Sequence, residues 1–483
     1  MSTYNQKSNK QIPKYQQIVN YMKEKITNGE WPIGSKIPSQ RKLATVFNVN
    51  RSTVITALEE LTADGLVQGK MGMGTIVVNN TWTLLATDPP PNWNEYIKAG
   101  LHKPSKVMVQ EINEAESNKK LIQLSKGELA SDIFPLDTMQ LVMRNVSEKM
   151  NAFGYEEPKG FLPLRQAISQ YVKSFGIHAS PSSILIVSGA LQALQLISVG
   201  LLHRGLTVLL EQPSYLYSLH VFQSAGINFS GIPLDNQGIL PNVLSRRNKH
   251  IQGKTTLYSI PCFHNPTGIL MSEHRRKEII NVCEKEQLPV IEDDIYRELW
   301  IDETPPSPLK ALDKHGHVLY LGSLSKTLSP GLRIGWIIGP EPVIERLSDI
   351  KMQTDYGSSS LSQRVAAEWL SSGLYQQHVK SVREQLKIRR KVVIKALEAH
   401  YKDIASWDVP SGGFFIWLKI RPKMPMRKLY LKALSKGILL NPGSIYEEES
   451  DRYIRLSYGY ASIEDLSQGI YQLSQIIREI MAS

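Results

Sequence analysis

The sequence predicts a chain in two parts: an N-terminal winged helix-turn-helix, then a large α/β domain with a mostly parallel sheet and a smaller C-terminal α/β subdomain. Three observations predict it. The 483 residues exceed what one ordinary core accommodates. Residues 1–80 hold ten Lys/Arg against five Asp/Glu, so nearly half of the net charge of +11 sits in the first sixth of the chain. From about residue 120 onward, short apolar runs alternate with helix-length segments, the pattern of a parallel sheet covered on both faces.

Composition narrows the class. With 42% apolar and 21% charged residues, the chain is an ordinary globular sequence. Its two cysteines, Cys262 and Cys283, make neither a metal-ligand spacing nor a disulfide framework, so no metal is expected and a reducing cytoplasm is the default. The start, MSTYNQKSNK, has no apolar stretch of the signal-peptide type. The longest apolar run, Ile184 to Leu202, is interrupted by Ser188, Gly189, Gln192 and Gln195. It reads as a buried strand, a loop and a core helix, not a membrane span.

The first unit occupies residues 11–79. Ile18, Val19, Met22 and Ile26 have helical spacing. A Gly29–Gly34 connection leads to a second helix capped by Ser39, with Leu43, Ala44 and Phe47 inward. After an Asn48–Asn50 turn, Val54, Ala57, Leu58 and Leu61 stripe a third helix, with Asn50 placed to cap it. Arg51, Ser52 and Thr53 then stand at the start of the recognition helix of a helix-turn-helix, where side chains reach base edges. Ser39, Arg41 and Lys42 suit phosphates at the preceding helix start. Gly72 belongs to a wing from which Lys70 reaches the DNA backbone. A small protein-interaction module is the other reading of this pattern.

Residues 80–119 read as a linker. Asp88-Pro-Pro-Pro-Asn92 excludes helix, and a short amphipathic piece runs from Trp93 to Leu101. The second unit, 120–483, carries the most distinctive local pattern: Ser323, Ser325 and Lys326 after an apolar strand, with Arg333 seven residues beyond the lysine. A nucleotide P-loop needs glycine immediately before its lysine, and Ser325 stands there, which rejects that reading. A lysine that attacks an aldehyde must be partly neutral, which burial near cations supplies. Such a cofactor needs hydroxyls and an arginine for a phosphate, and a carboxylate for a protonated ring nitrogen. Gly189 and Ala190 open a helix after a strand, Asp293 follows another strand, and Tyr215 offers a flat ring. Taken singly, these are also a helix cap, a loop acid and a core tyrosine.

Ordered motifs carry a resemblance to known families. Residues 11–79 resemble the GntR winged helix through Tyr15–Ile18, Pro38–Ala44, Asn50–Val54, Gly65–Val67 and Gly72–Thr75. Met71 and Met73 depart from it, standing where polar or basic residues are common. Residues 120–483 resemble the class I/II aminotransferases of fold type I. That resemblance implies pyridoxal 5′-phosphate held as an imine on Lys326, Asp293 at the pyridinium, Asn265 and Tyr296 at the ring hydroxyl, and Tyr215 stacked on the ring. It implies phosphate contacts from Gly189, Ala190, Ser323, Ser325 and Arg333, with Tyr155 reaching in from a partner subunit, and Arg455 gripping an amino acid carboxylate, with Asn265 also at that effector site. The fusion resembles the MocR/GabR-type bacterial regulators. This implies a cytoplasmic, nucleoid-associated, head-to-tail homodimer that binds double-stranded operator DNA and senses the cofactor or an amino compound. A working aminotransferase that exchanges amino groups between an amino acid and a 2-oxo acid is the alternative.

Overall fold

A computed structural model of the chain describes residues 12–70, 74–79, 93–100, 102, 104–150, 154–421, 423–447 and 449–482. The chain divides into two compact units, Met1–Leu101 and His102–Ser483.

In the first unit, α1 (Lys14–Thr27), α2 (Gln40–Phe47) and α3 (Arg51–Ala63) precede the antiparallel hairpin β1 (Val67–Lys70) and β2 (Gly74–Val77). The stripes read from the sequence are the core: Ile18, Val19, Met22, Ile26, Leu43, Val54, Ala57, Leu58 and Leu61 are all buried together. Ser39 caps α2 as expected, its hydroxyl accepting from the Lys42 amide at 3.3 Å. Asn50 holds the N-cap position of α3 but makes no side-chain cap bond, so the first amides of the recognition helix keep no side-chain partner there. Gly72, Met71 and Met73 lie outside the described residues, as do 80–92 of the expected linker; α4 (Trp93–Ala99) is the amphipathic piece.

The linker expectation is corrected at its far end. Residues 104–119 belong to the second unit, where α5 (Val107–Glu116) buries Val109 and Ile112 in the main core. Arg427 also donates to Glu111 of α5 at 2.7 Å. The ten residues of α5 include Val107, Met108, Val109, Ile112 and Ala115, a short apolar pattern whose burial depends on Ile438–Leu439, more than three hundred residues away.

Beyond it come β3 (Ile122–Gln123), α6 (Leu136–Lys149) and α7 (Leu162–Lys173), then the eight-stranded sheet. Its strands are β4 (Ile184–Val187), β5 (Thr207–Gln212), β6 (Asn228–Asp235), β7 (Gly238–Ile239), β8 (Thr255–Ser259), β9 (Val290–Asp293), β10 (Val318–Ser323) and β11 (Gly335–Ile338), with α8 (Ala190–Gly200) following β4. The spatial order is β4-β11-β10-β9-β8-β5-β6-β7. Pairs from β10 through β6 are parallel, while β11 runs against both β10 and β4. Both faces are covered, so the strands show no polar alternation. Along β4, Leu185 and Val187 enter one core while Ile184 and Ile186 enter another. The smaller subdomain holds β12 (Ala405–Ser406), β13 (Phe415–Ile420), β15 (Asn441–Pro442) and β16 (Tyr453–Ser457), in sheet order β12-β13-β16-β15; β14 (Ile438–Leu439) pairs with β3.

Among the described residues no helix is long and apolar enough to cross a membrane, and no group of His, Cys, Asp or Glu is placed to hold a metal.

Leu61 is fully buried in the small first core. Leu61→Ala is expected to cost about 2–5 kcal/mol in that unit. Hydrogen exchange should then quicken across α1–α3 while the amides of β8–β10 keep their protection.

Candidate functional site

The topology gathers the predicted residues before any side chain is considered. Because β4, β5, β8, β9 and β10 point the same way, their C-terminal ends share one edge, where open α/β sheets hold ligands. Asp293 ends β9 and Ser323 ends β10, with Lys326 three residues on. Ser188 and Gly189 follow β4, Tyr215 follows β5 and Asn265 follows β8. Arg333 stands just ahead of β11, which starts at that same edge.

Lys326 is part-buried, and its Nζ donates to the Gly127 carbonyl at 2.8 Å. Burial pushes its pKa down to about 8; Glu128, Asp293 and Glu116 oppose the shift and Arg455 adds to it. An appreciable neutral fraction therefore exists near neutral pH. Asp293 is buried, and burial pushes its pKa up to about 6, against the hydrogen bonds from Tyr258 and the Ile295 amide. Tyr258 donates to Oδ2 at 2.7 Å, while Oδ1 is buried with no partner. A buried, mostly ionised oxygen without a donor is what a protonated ring nitrogen requires.

The remaining polar groups form two further sets. Asn265 Nδ2 donates to the Tyr296 hydroxyl at 3.2 Å, and the Tyr215 amide donates to the Asn265 carbonyl at 3.3 Å. Opposite them, Gly189 caps α8 at φ +88°. A Cβ built on Gly189 would lie 2.7 Å from Arg333 Nη2, which itself donates to the Ser188 carbonyl at 2.6 Å. Both the left-handed backbone and the close guanidinium demand glycine here. Ser323 Oγ donates to Ser325 Oγ at 3.0 Å. Helix start, guanidinium and paired hydroxyls make a phosphate cradle in chemical kind.

Arg455 lies on β16, with Nη1 donating to Asn265 Oδ1 at 2.9 Å and Nη2 to the Ser125 carbonyl at 2.6 Å. Its guanidinium is 4.0 Å from the Phe415 ring centroid, and its Nε is buried without a partner. Among the described residues, the arginine has hydrogen-bond acceptors but no carboxylate paired with it. Tyr155 stands apart: it is 81% exposed and meets Tyr356 edge-on.

Sequence reading missed the support behind Asp293. Glu211 is buried 48 residues before Ser259 in the chain, accepting from Ser259 Oγ at 2.5 Å and the Ile260 amide at 2.8 Å. Burial pushes it up to about 7 and drives the neighbouring His264 down to about 3. At neutral pH Glu211 is thus only partly ionised and His264 is neutral. A buried tyrosine or glutamate at a strand end carries no local signal of such a role.

In the first unit, Arg41, Lys42, Arg51, Ser52 and Lys70 are exposed, and Thr53 is half-exposed. Arg51 Nε donates to Gln40 Oε1 at 2.8 Å, tying the recognition helix to the helix before it.

Comparisons with known proteins agree with both units. Residues 119–470 match the family Aminotransferase class I and II, and residues 14–77 match Bacterial regulatory proteins, gntR family. The chain is 67% identical to the uncharacterized HTH-type transcriptional regulator YdfD of Bacillus subtilis (strain 168), over 99% of each protein. It is 36% identical to the HTH-type transcriptional regulator NorG of Staphylococcus aureus (strain USA300), over 92% of this chain and 100% of that protein. Among solved structures, the multiple substrate aminotransferase from Thermococcus profundus superposes with a TM-score of 0.75 at 29% identity. That match covers 81% of this chain and 100% of the other.

The amine of Lys326 offers a direct check. Acylating reagents attack only the neutral amine, whose fraction rises with pH through the pKa. Mass spectrometry of the Lys326 peptide from cofactor-free protein should give a midpoint near 8, against about 10.4 for an ordinary lysine.

Proposed function

The chain belongs to the transcriptional regulators that join a gntR-type winged helix to a class I and II aminotransferase domain, and we propose that it couples operator binding to the state of Lys326. The observation that carries this is the pairing, in one chain, of a DNA-reading unit with a cofactor site whose orphan groups fit pyridoxal 5′-phosphate. Asp293 Oδ1 has no partner, and the Gly189–Arg333 cradle admits no side chain at residue 189.

In this reading, Asp293 holds the ring nitrogen, Asn265 and Tyr296 the ring hydroxyl, and Tyr215 the ring face. Gly189, Ala190, Ser323, Ser325 and Arg333 hold the phosphate, and Tyr155 serves a second copy in a head-to-tail homodimer. The cofactor, when bound, supplies an aldehyde carbon and an electron-accepting ring. Lys326 supplies the amine and holds or releases a proton at Nζ; Tyr258 fixes which Asp293 oxygen faces the ring. Arg455 orients the carboxylate of an amino compound against Asn265. On the DNA side, Arg51, Ser52 and Thr53 read base edges, and Ser39, Arg41, Lys42, Lys70 and Gly72 position the backbone. Occupancy at Lys326 shifts operator affinity by linkage, as any ligand does that binds two states unequally. The site's full set of groups also supports amino-group exchange between an amino acid and a 2-oxo acid. Steady turnover at ordinary enzyme rates, a median of about 10 per second, would favour that second reading.

Two substitutions separate the units. Arg51→Ala should weaken operator binding by about 1–3 kcal/mol at fixed salt while the cofactor's absorption band is kept, as read by fluorescence anisotropy and absorbance on one sample. Lys326→Ala should abolish both that band and borohydride trapping. Persistence of both would remove Lys326 from the role assigned to it.

A further inference from the structure

Glu116 is the last residue of α5, the end of a helix where the terminal carbonyls favour a cation over an acid. It is half-buried, and among the described residues its carboxylate makes no hydrogen bond and no ion pair. Hydrogen bonds place it near Arg455: Gln123 donates to the Glu116 carbonyl, and Ser125, two residues on, accepts from Arg455, while Lys126, Arg455, Glu128 and Lys326 act on its carboxylate electrostatically. Burial pushes its carboxyl up, with Lys126 the first of the groups that oppose the shift.

The nearby cations are already engaged. Lys126 Nζ lies 3.4 Å from Glu128 and 4.2 Å from the centroid of the Tyr460 ring, and Arg455 is held by Asn265 and Ser125. The polar groups beside Glu116 are acceptors in search of donors. Gln123 is 4% exposed; its Nε2 donates to the carbonyls of Glu116 and Asn118 at 3.5 and 3.2 Å, which leaves Oε1 buried without a partner. Asn441 Oδ1 is buried without a partner too, and its Nδ2 reaches the same Ser125 carbonyl that Arg455 uses. Once an α-carboxylate meets Arg455, the Glu116, Glu128 and Lys126 set retains one net negative charge. The wall is then acidic, rich in acceptors and desolvated, which suits a cation with several N–H donors.

We propose that Glu116 and Gln123 form the side-chain subsite for an α-amino acid whose side chain ends in an ammonium or guanidinium group. The proposal rests on the reading that Arg455 holds the carboxylate of an amino compound. It names the class of that compound: basic amino acids rather than dicarboxylic or apolar ones.

The test uses the full-length, cofactor-loaded protein titrated with L-lysine, L-norleucine and L-2-aminoadipate, read as the change in the cofactor's absorption spectrum. A charge-assisted contact corresponds to roughly ten- to a hundred-fold in affinity. Lysine should half-saturate at a concentration lower than norleucine by that factor, with aminoadipate weakest. In Glu116→Gln the lysine-to-norleucine ratio should fall close to one. Both ligands are measured on one protein, so a variant that merely loses stability lowers both responses and leaves the ratio intact. Norleucine or aminoadipate matching lysine in the wild type, or the preference surviving Glu116→Gln, would overturn the subsite. If norleucine responds, and ceases to in Arg455→Ala, without any lysine preference, the carboxylate reading stands and only the subsite falls. If none of the three changes the spectrum, both fall.

Discussion

A primary amine in water is almost entirely protonated at neutral pH, and a protonated amine attacks nothing. The second unit is organised around relieving that constraint at Lys326. The lysine is held where its charged form is poorly solvated, with its Nζ on the Gly127 carbonyl and its pKa down at about 8. Three carboxylates, Glu128, Asp293 and Glu116, pull the value back up. The amine therefore stays able to carry a proton as well as to lose one. A deeper, acid-free pocket would hold it permanently neutral, and an exposed one permanently charged.

The same desolvation sets the character of every neighbour. Asp293 is forced up to about 6 yet remains mostly ionised at neutral pH, because the hydrogen bonds from Tyr258 and the Ile295 amide and the charge of Lys326 work against its burial. Tyr258 occupies one carboxylate oxygen and leaves the other open. Arg455 keeps a buried Nε without an acceptor. These orphan atoms cost folding free energy, on the order of 1–3 kcal/mol each; one sits at the end of β9 and the other on β16 of the smaller subdomain.

Much of this was legible in the sequence, for identifiable reasons. Strands buried on both faces are short apolar runs, so Ile184–Val187, Thr207–Leu210, Thr256–Ile260, Val290–Glu292, Val318–Leu321 and Ile334–Ile338 read as strands and match β4, β5 and β8–β11 within two residues. Strand β6 could not: Asn228–Asp235 lies near the sheet edge, is mostly half-buried and contains Pro233. The winged-helix stripes were legible because three amphipathic helices cover one small core. The positions of Gly189, Asp293, Lys326 and Arg333 were legible because each stands next to a recognisable strand. Tyr258, Glu211 and Glu116 were not, since each takes its meaning from a partner brought close only by the fold. Helix α5 was assigned to the linker for the same reason.

The two units meet in function only if the state of one alters the other. Linkage requires that any factor by which the loaded cofactor site changes operator affinity also appears as the factor by which operator DNA changes cofactor affinity. The direct measurement is a pair of titrations at one salt concentration: operator binding by cofactor-free and loaded protein, and cofactor binding with and without saturating operator. The account predicts two equal factors distinct from one. Cofactor affinity that is identical with and without operator DNA would contradict it, leaving two independent units on one chain.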